Sequence, residues 1–193
     1  MSAAPRRAVF LDRDGTLHRE LENALREPGQ LEIFPGALEG AAQLAAAGFA
    51  LVLITNQSAV ARGTASLAEV EQVNRALGER MAAAGAPLEG VYSCPHHPDE
   101  GEPPYRRVCA CRKPAPGLVQ RAARELDLDL ARSWVIGDAE RDLAAGVALG
   151  AQGVLVLTGK GSRELVRLER AGRRPQHVAR DLQEAAAIVL ASV

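Results

Sequence analysis

Short apolar runs alternating with helical stretches constrain this chain more than any other feature. Ala8-Val9-Phe10-Leu11, Leu51-Val52-Leu53-Ile54, Trp134-Val135-Ile136 and Val154-Leu155-Val156-Leu157 are four such runs, and Gly90-Val91-Tyr92 suggests a fifth. Continuous apolar runs suit strands covered on both faces, as in a parallel sheet. Between them lie Ala/Leu-rich segments with helical spacing at about 37–47, 66–84, 116–126, 140–149 and 162–171, and a last one from Asp181. Ser66-Leu67-Ala68-Glu69 reads as a capping box, and Gly48 and Gly85 follow helix ends. The expected fold is α/β, a doubly wound, Rossmann-like parallel sheet with helices on both faces. With 193 residues, one domain over 1–193 is expected. Two stretches, 17–35 and 93–116, break the alternation, and long loops in compact domains usually serve function.

The bulk numbers exclude several function classes. A net charge of -1 gives no electrostatic pull toward nucleic acid or an anionic membrane. Aromatic residues make up 3%, too few for a base-stacking platform. Residues 1–7 lack the apolar stretch of a signal peptide, and no later run approaches membrane-spanning length. The expectation is a soluble, cytoplasmic monomer acting on a small molecule. Lysine occurs only at Lys113 and Lys160, which singles out Lys113 as a place where a compact ammonium is needed.

Ligands of such sheets sit beyond the carboxyl ends of the strands. There the first run leads into Asp12-Arg13-Asp14-Gly15-Thr16, two carboxylates followed by a turn glycine. An EF-hand loop begins this way too, but no further acidic ligands follow at its spacing. The second run leads into Thr55-Asn56-Gln57-Ser58, donors suited to phosphate oxygens. Lys113 precedes Pro114 and an expected helix, and the third run leads into Gly137-Asp138 with Asp142 four residues on. Read singly, these are a polar turn, a loop, a solvated charge and a helix cap. Read together, they supply a carboxylate nucleophile, a second carboxylate, a hydroxyl, a cation and a distal acidic pair.

In that order the four segments resemble the motifs of the haloacid dehalogenase (HAD) superfamily, from about Ala8 to Leu157. The resemblance implies a phosphomonoesterase that forms a phosphoaspartate on Asp12. Asp14 would protonate the leaving alkoxide and then activate water, which calls for a raised pKa in the substrate complex. Mg²⁺ would be held by Asp12, the backbone carbonyl of Asp14, and Asp138, with Asp142 bracing that shell. Thr55 and Lys113 would hold the transferred phosphoryl group.

All three cysteines fall in one array, Cys94-Pro95-His96 with Cys109-Ala110-Cys111. Three thiolates and one imidazole complete a tetrahedral Zn²⁺ shell with no open position, so the metal would be structural. His97 competes with His96 for the fourth place; the resemblance favours His96. The loop at 93–116 leads into Arg112-Lys113 and would position both cations.

The zinc array, Ala61-Arg62-Gly63 and Cys-Arg-Lys-Pro-Ala-Pro-Gly resemble the heptose bisphosphate phosphatase branch of the superfamily. That branch implies a capless enzyme acting on a sugar bisphosphate, with Asn56, Gln57, Ser58, Arg62 and Arg112 contacting substrate. Histidinol phosphate or another small sugar or polyol phosphate is the alternative substrate. A zinc-stabilised module that binds a phosphometabolite without turnover is the non-enzymatic alternative, and intact Asp12, Asp14, Lys113 and Asp138 argue against it. A phosphomutase would carry a cap to exclude water. Two departures touch substrate contacts. Glu20-Leu21-Glu22-Asn23 stands where the branch has an acidic residue and Gly-Tyr, and Ala139 stands where it often has a basic residue.

Overall fold

The structure is a computed structural model that describes residues 5–21 and 24–192. Six strands, β1 (Ala8–Leu11), β2 (Ala50–Asn56), β3 (Leu88–Cys94), β4 (Trp134–Gly137), β5 (Gln152–Val156) and β6 (His177–Ala179), form one sheet in the order β3-β2-β1-β4-β5-β6. Every pairing is parallel. Six helices accompany it: α1 (Ala37–Ala46), α2 (Leu67–Ala83), α3 (Gly117–Leu126), α4 (Glu140–Val147), α5 (Gly161–Arg170) and α6 (Leu182–Ala191). The doubly wound parallel sheet expected from the sequence is the one observed. β6 was not expected: it is three residues long and lacks an apolar run, since it pairs only along β5 at the edge.

The apolar runs are explained by the alternation of their side chains between two cores. Val9 and Leu11 of β1, Leu51 and Leu53 of β2, and Trp134 and Ile136 of β4 face a cluster with Leu44 of α1, Val73, Leu77 and Met81 of α2, and Val189 of α6. Ala8, Phe10, Val52, Ile54 and Val135 face the other cluster, with Leu118, Val119 and Ala122 of α3 and Leu143 and Ala145 of α4. Because both faces are dry, no strand position in the centre can be polar. Removing one of these side chains, as in Leu77→Ala, costs about 2–5 kcal/mol. Ser66 caps α2 as expected: its hydroxyl accepts from the Glu69 N–H, and the Glu69 carboxylate accepts from the Ser66 N–H at 2.6 Å.

The strand order changes direction between β1 and β4. β2 and β3 are laid down on one side of β1, and β4 to β6 on the other. The crevice at such a reversal is open at the carboxyl ends of the strands. Leu11 pairs with Ile136, and the Asp12 N–H continues the ladder by donating to the Ile136 carbonyl at 3.0 Å. The sheet itself therefore sets Asp12 beside the segment Gly137-Asp138.

Candidate active site

Three carboxylates meet at this crevice. Ligand oxygens of Asp12, Asp138 and Asp142 lie within 4.8 Å of one another, and all three residues are buried. Asp12 follows β1, Asp138 follows β4, and Asp142 sits in the first turn of α4. Gly15 makes the close approach possible. Its φ is +84°, and a Cβ there would lie 2.1 Å from Asp138 Oδ2. Asp138 Oδ2 accepts from the Lys160 N–H at 2.8 Å, and Asp142 Oδ2 accepts from the Ala139 N–H at 3.1 Å.

Lys113 is buried against the cluster, its ammonium 2.5 Å from Asp12 Oδ1 and 2.8 Å from Asp142 Oδ1, and it donates to the Ile54 carbonyl at 2.8 Å. The geometry toward Asp142 is that of an ion pair rather than an aligned hydrogen bond, and Asp142 Oδ1, like Asp138 Oδ1, has no hydrogen-bond partner. One ammonium cannot balance three buried carboxylates. Burial, with Asp142 next, pushes Asp12 up to about 8 despite Lys113. Burial pushes Asp138 up to about 6. Burial pulls Lys113 down, but Asp12 and Asp142 outweigh it and hold its pKa high. An orphaned buried oxygen on Asp138, and one on Asp142 that faces only Lys113, beside carboxyls that resist ionisation are what a site built for a cation looks like without counting the cation's charge. An oxygen donor set of this kind fits a hard divalent ion.

Asp14 is handled differently. Arg13, itself buried, donates through Nε and Nη2 to the Asp14 carboxylate at 3.1 Å each, and Gln57 Nε2 donates to Asp14 Oδ2 at 2.7 Å. His18 Nε2 lies 3.3 Å from Asp14 Oδ1. Burial would raise Asp14, but the Arg13 charge and the His18 and Arg13 contacts prevail and hold its carboxyl far below the usual range. The raised pKa expected of an acid catalyst is thus not a property of this structure: Asp14 is clamped as a carboxylate.

The residues at the carboxyl end of β2 also serve the protein before any ligand. Thr55 Oγ1 is fully buried, accepts from Gln57 Nε2 at 2.8 Å and donates to Asp14 Oδ2 at 3.4 Å. The Asn56 amide pairs with the Lys113 backbone in both directions, donating to its carbonyl at 3.0 Å and accepting from its N–H at 3.1 Å. This explains how an Lys113 fifty-seven positions away is delivered to Asp12. Asn56 and Gln57, expected to contact substrate, therefore spend their amides on Lys113, Asp14 and Arg13 in this structure. Ser58, Arg62 and Arg112 line the cavity above the cluster, together with Asp12, Asp14, Lys113 and Asp142. That cavity measures about 1160 Å³, and its outer wall comes from the 17–35 stretch through Glu20, Leu21, Arg26 and Gln30. Of the departures noted in that stretch, Glu22 and Asn23 lie outside the described residues. Thr55 and Asp138 are buried and do not line the cavity.

The cysteine array closes on itself. Cys94 Sγ lies 3.6 Å from Cys109 Sγ and 3.2 Å from Cys111 Sγ, and Cys109 and Cys111 are 3.3 Å apart. His96 Nδ1 lies 3.3 Å from Cys111 Sγ and 3.6 Å from Cys94 Sγ. These are near the edge lengths of a tetrahedron with metal–sulfur bonds of about 2.3 Å. His97 instead turns its Nδ1 to accept from the Asp99 and Glu100 N–H groups at 3.2 and 2.9 Å, which removes it from the competition. Burial, then Arg107, lowers His96 and keeps its imidazole in the neutral, ligating form. Burial pushes the Cys94 thiol up, so a thiolate there needs a cation, and the donor set fits zinc. Arg112 donates through Nη1 to the His96 carbonyl at 2.9 Å, tying the clip to the cavity.

Sequence reasoning passed over Arg13, Asn74, His18 and Arg141. Arg13 Nη1 donates to Asn74 Oδ1 of α2 at 2.7 Å, so a residue sixty-one positions away anchors the Asp14 clamp. The signal available was an arginine between two site aspartates, which a buried turn must satisfy somewhere.

A family model described as HAD-hydrolase-like matches residues 110–185. D-glycero-beta-D-manno-heptose-1,7-bisphosphate 7-phosphatase from Photorhabdus laumondii is 42% identical over 154 residues, 79% of this chain and 81% of the relative. The protein of that name from Escherichia coli K12 is 40% identical over 155 residues, 79% of this chain and 80% of the relative. A crystal structure of D,D-heptose 1,7-bisphosphate phosphatase from B. bronchiseptica, complexed with magnesium and phosphate, superposes with a TM-score of 0.84 at 34% identity, covering 97% of this chain and 99% of the other. The corresponding structure from Burkholderia thailandensis gives 0.69 at 31% identity, covering 96% and 99%.

Proposed function

The chain belongs to the heptose-1,7-bisphosphate 7-phosphatase family of HAD-type phosphoric monoester hydrolases, and from that premise we propose that it removes the 7-phosphate of D-glycero-D-manno-heptose 1,7-bisphosphate through a phosphoaspartate on Asp12. The observation that carries the chemistry is the buried meeting of Asp12, Asp138 and Asp142 with Lys113 at the strand-order reversal.

Asp12 is the nucleophile: its carboxylate oxygen bonds to phosphorus as the bond to the sugar oxygen breaks. Lys113 orients that carboxylate through Oδ1 and presents positive charge to the phosphoryl group. Asp12, Asp138 and the Asp14 backbone carbonyl, with Asp142 in support, would hold magnesium, which would supply Lewis acidity toward the phosphoryl oxygens. Asp14 gives a proton to the departing alkoxide and takes one from the water that attacks the acyl phosphate. For the first of these acts its grip by Arg13 and Gln57 has to loosen and Asp14 has to take up a proton from solvent, so we assign the clamp the role of holding Asp14 ionised until substrate arrives. Thr55 and Gln57 fix the Asp14 side of the site, and Asn56 fixes Lys113. Ser58, Arg112 and, once it releases Glu100, Arg62 are the cavity's donors to the sugar and its phosphates. Cys94, His96, Cys109 and Cys111 would hold a structural zinc, fixing the loop whose His96 carbonyl accepts from Arg112.

The test is magnesium-dependent phosphate release from heptose 1,7-bisphosphate and from histidinol phosphate, compared by kcat/KM. The bisphosphate should be preferred by about 10⁴- to 10⁵-fold, the size expected when a site built for polar groups meets a ligand lacking them. Preference for histidinol phosphate would overturn the substrate. Activity retained by Asp12→Asn would overturn the nucleophile.

A further inference from the structure

We infer that Arg141 is a specificity-determining cation of this cavity, reading a second phosphate on the substrate. The inference rests on the phosphatase reading and extends it to a residue that reading does not use. The cavity's basic side chains are nearly all engaged. Arg13 holds Asp14, Lys113 holds Asp12 and Asp142, Arg26 pairs with Glu69 at 2.8 Å, Arg62 with Glu100 at 2.5 Å, and Lys160 with Glu20 at 2.7 Å. Arg112 and Arg141 remain, and Arg112 commits one nitrogen to the His96 carbonyl. Arg141 makes no hydrogen bond within the described residues. Its nearest carboxylate oxygen, Asp142 Oδ1 at 3.9 Å, is the one Lys113 already holds at 2.8 Å.

Burial lowers Arg141, but Asp142, Asp12, Asp138 and Glu20 outweigh it and hold the guanidinium charged. Arg141 is the second residue of α4, where the helix dipole disfavours a cation. Its side chain is half-exposed and lines the cavity. It lies close enough to Arg112 that burial, and then the Arg141 charge among others, lowers the Arg112 guanidinium. A guanidinium that lines the cavity with its N–H groups unspent suits a phosphate, which takes two parallel N–H bonds from such a fork. The reacting phosphoryl group already has Lys113. The cavity, at about 1160 Å³, has room for a sugar and a second phosphate beyond it. Position 139, at the start of the same helix, is a buried alanine and offers no charge.

The experiment compares kcat/KM for heptose 1,7-bisphosphate and heptose 7-phosphate in wild type, Arg141→Ala and Arg141→Lys, with magnesium present and folding checked by circular dichroism. Losing a charge-assisted contact to phosphate should cut the bisphosphate-over-monophosphate ratio by about 10- to 100-fold in Arg141→Ala, carried by KM. Arg141→Lys should recover part of the ratio, since it restores charge without the fork. A ratio within about twofold of wild type in Arg141→Ala overturns the inference; equal losses on both substrates give that result and would put Arg141 over the reacting phosphoryl group instead. A wild-type ratio near one also overturns the second-phosphate subsite. Wild-type enzyme that hydrolyses neither ester with magnesium is a different failure, that of the phosphatase reading itself.

Discussion

Gly15→Ala tests how the metal-ready cluster is assembled, because the cost separates into parts that a second variant isolates. Gly15 has φ +84°, a left-handed conformation that costs an alanine about 1–2 kcal/mol. The new Cβ would also lie 2.1 Å from Asp138 Oδ2, 2.7 Å from its Cγ and 3.2 Å from the Gly159 Cα. Asp138 has to swing away, and its Oδ2 then gives up the Lys160 N–H it accepts at 2.8 Å. A buried hydrogen bond to a charged group is worth about 1.5–3 kcal/mol. The two parts sum to about 3–5 kcal/mol, within the 5–15 kcal/mol typical of a domain, so the chain should still fold. Gly48 has the same φ, +84°, with nothing within 4 Å of its Cβ position, so Gly48→Ala carries the conformational cost alone. Thermal unfolding should drop by about 6–20 °C in Gly15→Ala and about 2–8 °C in Gly48→Ala. Isothermal titration should show magnesium affinity at least about tenfold weaker in Gly15→Ala only. Equal Tm losses in the two variants, or unchanged magnesium binding in Gly15→Ala, would refute the reasoning.

Asp12 and Asp138 carry folded pKa values of about 8 and 6, above their unfolded values, so their protonation favours the metal-free fold. Stability without magnesium should therefore fall as pH rises from about 4 to about 8, by at most about 3 kcal/mol for Asp138, and magnesium should stabilise more at pH 8 than at pH 5; a metal-free Tm that climbs through this window contradicts it. The Asp14 clamp works in the other direction and is lost only below about pH 4, as its lowered carboxyl protonates. Zinc analysis should return about one ion per chain, and Cys94→Ser should lower both zinc content and kcat/KM; full activity without zinc would mean that the clip does not position Arg112-Lys113. Asn74→Ala should cost about 1.5–3 kcal/mol and lower kcat, because the buried Arg13 loses an acceptor held at 2.7 Å; unchanged Tm and kcat would show that the clamp does not depend on α2.

Much of this was legible in the chain because a parallel sheet writes itself as dry runs, and the residues just past those runs are where ligands go. Asp12 and Asp138 come directly after β1 and β4, Thr55 comes directly after the apolar run of β2, and the cysteine array was legible from its spacing. β6 was hidden because an edge strand of three residues needs no long apolar run. The clamp on Asp14 was hidden for another reason. It is made of polar side chains from the first turn, the end of β2 and the middle of α2, and nothing in the local pattern at Asn74 distinguishes a buried acceptor from a surface amide. His96 turns its Nδ1 toward the thiols and His97 turns its own toward backbone N–H groups, a difference in ring direction that spacing alone does not encode.

The central claim is that Asp12 carries the phosphoryl group. Quenching the enzyme in mid-turnover with magnesium and heptose bisphosphate, reducing with borohydride and mapping peptides by mass spectrometry tests it directly, since an aspartyl phosphate is converted to homoserine. The account predicts that mark at position 12, absent without magnesium and absent in Asp12→Asn. Rapid phosphate release with an unmodified position 12, or the mark at another carboxylate, would contradict it.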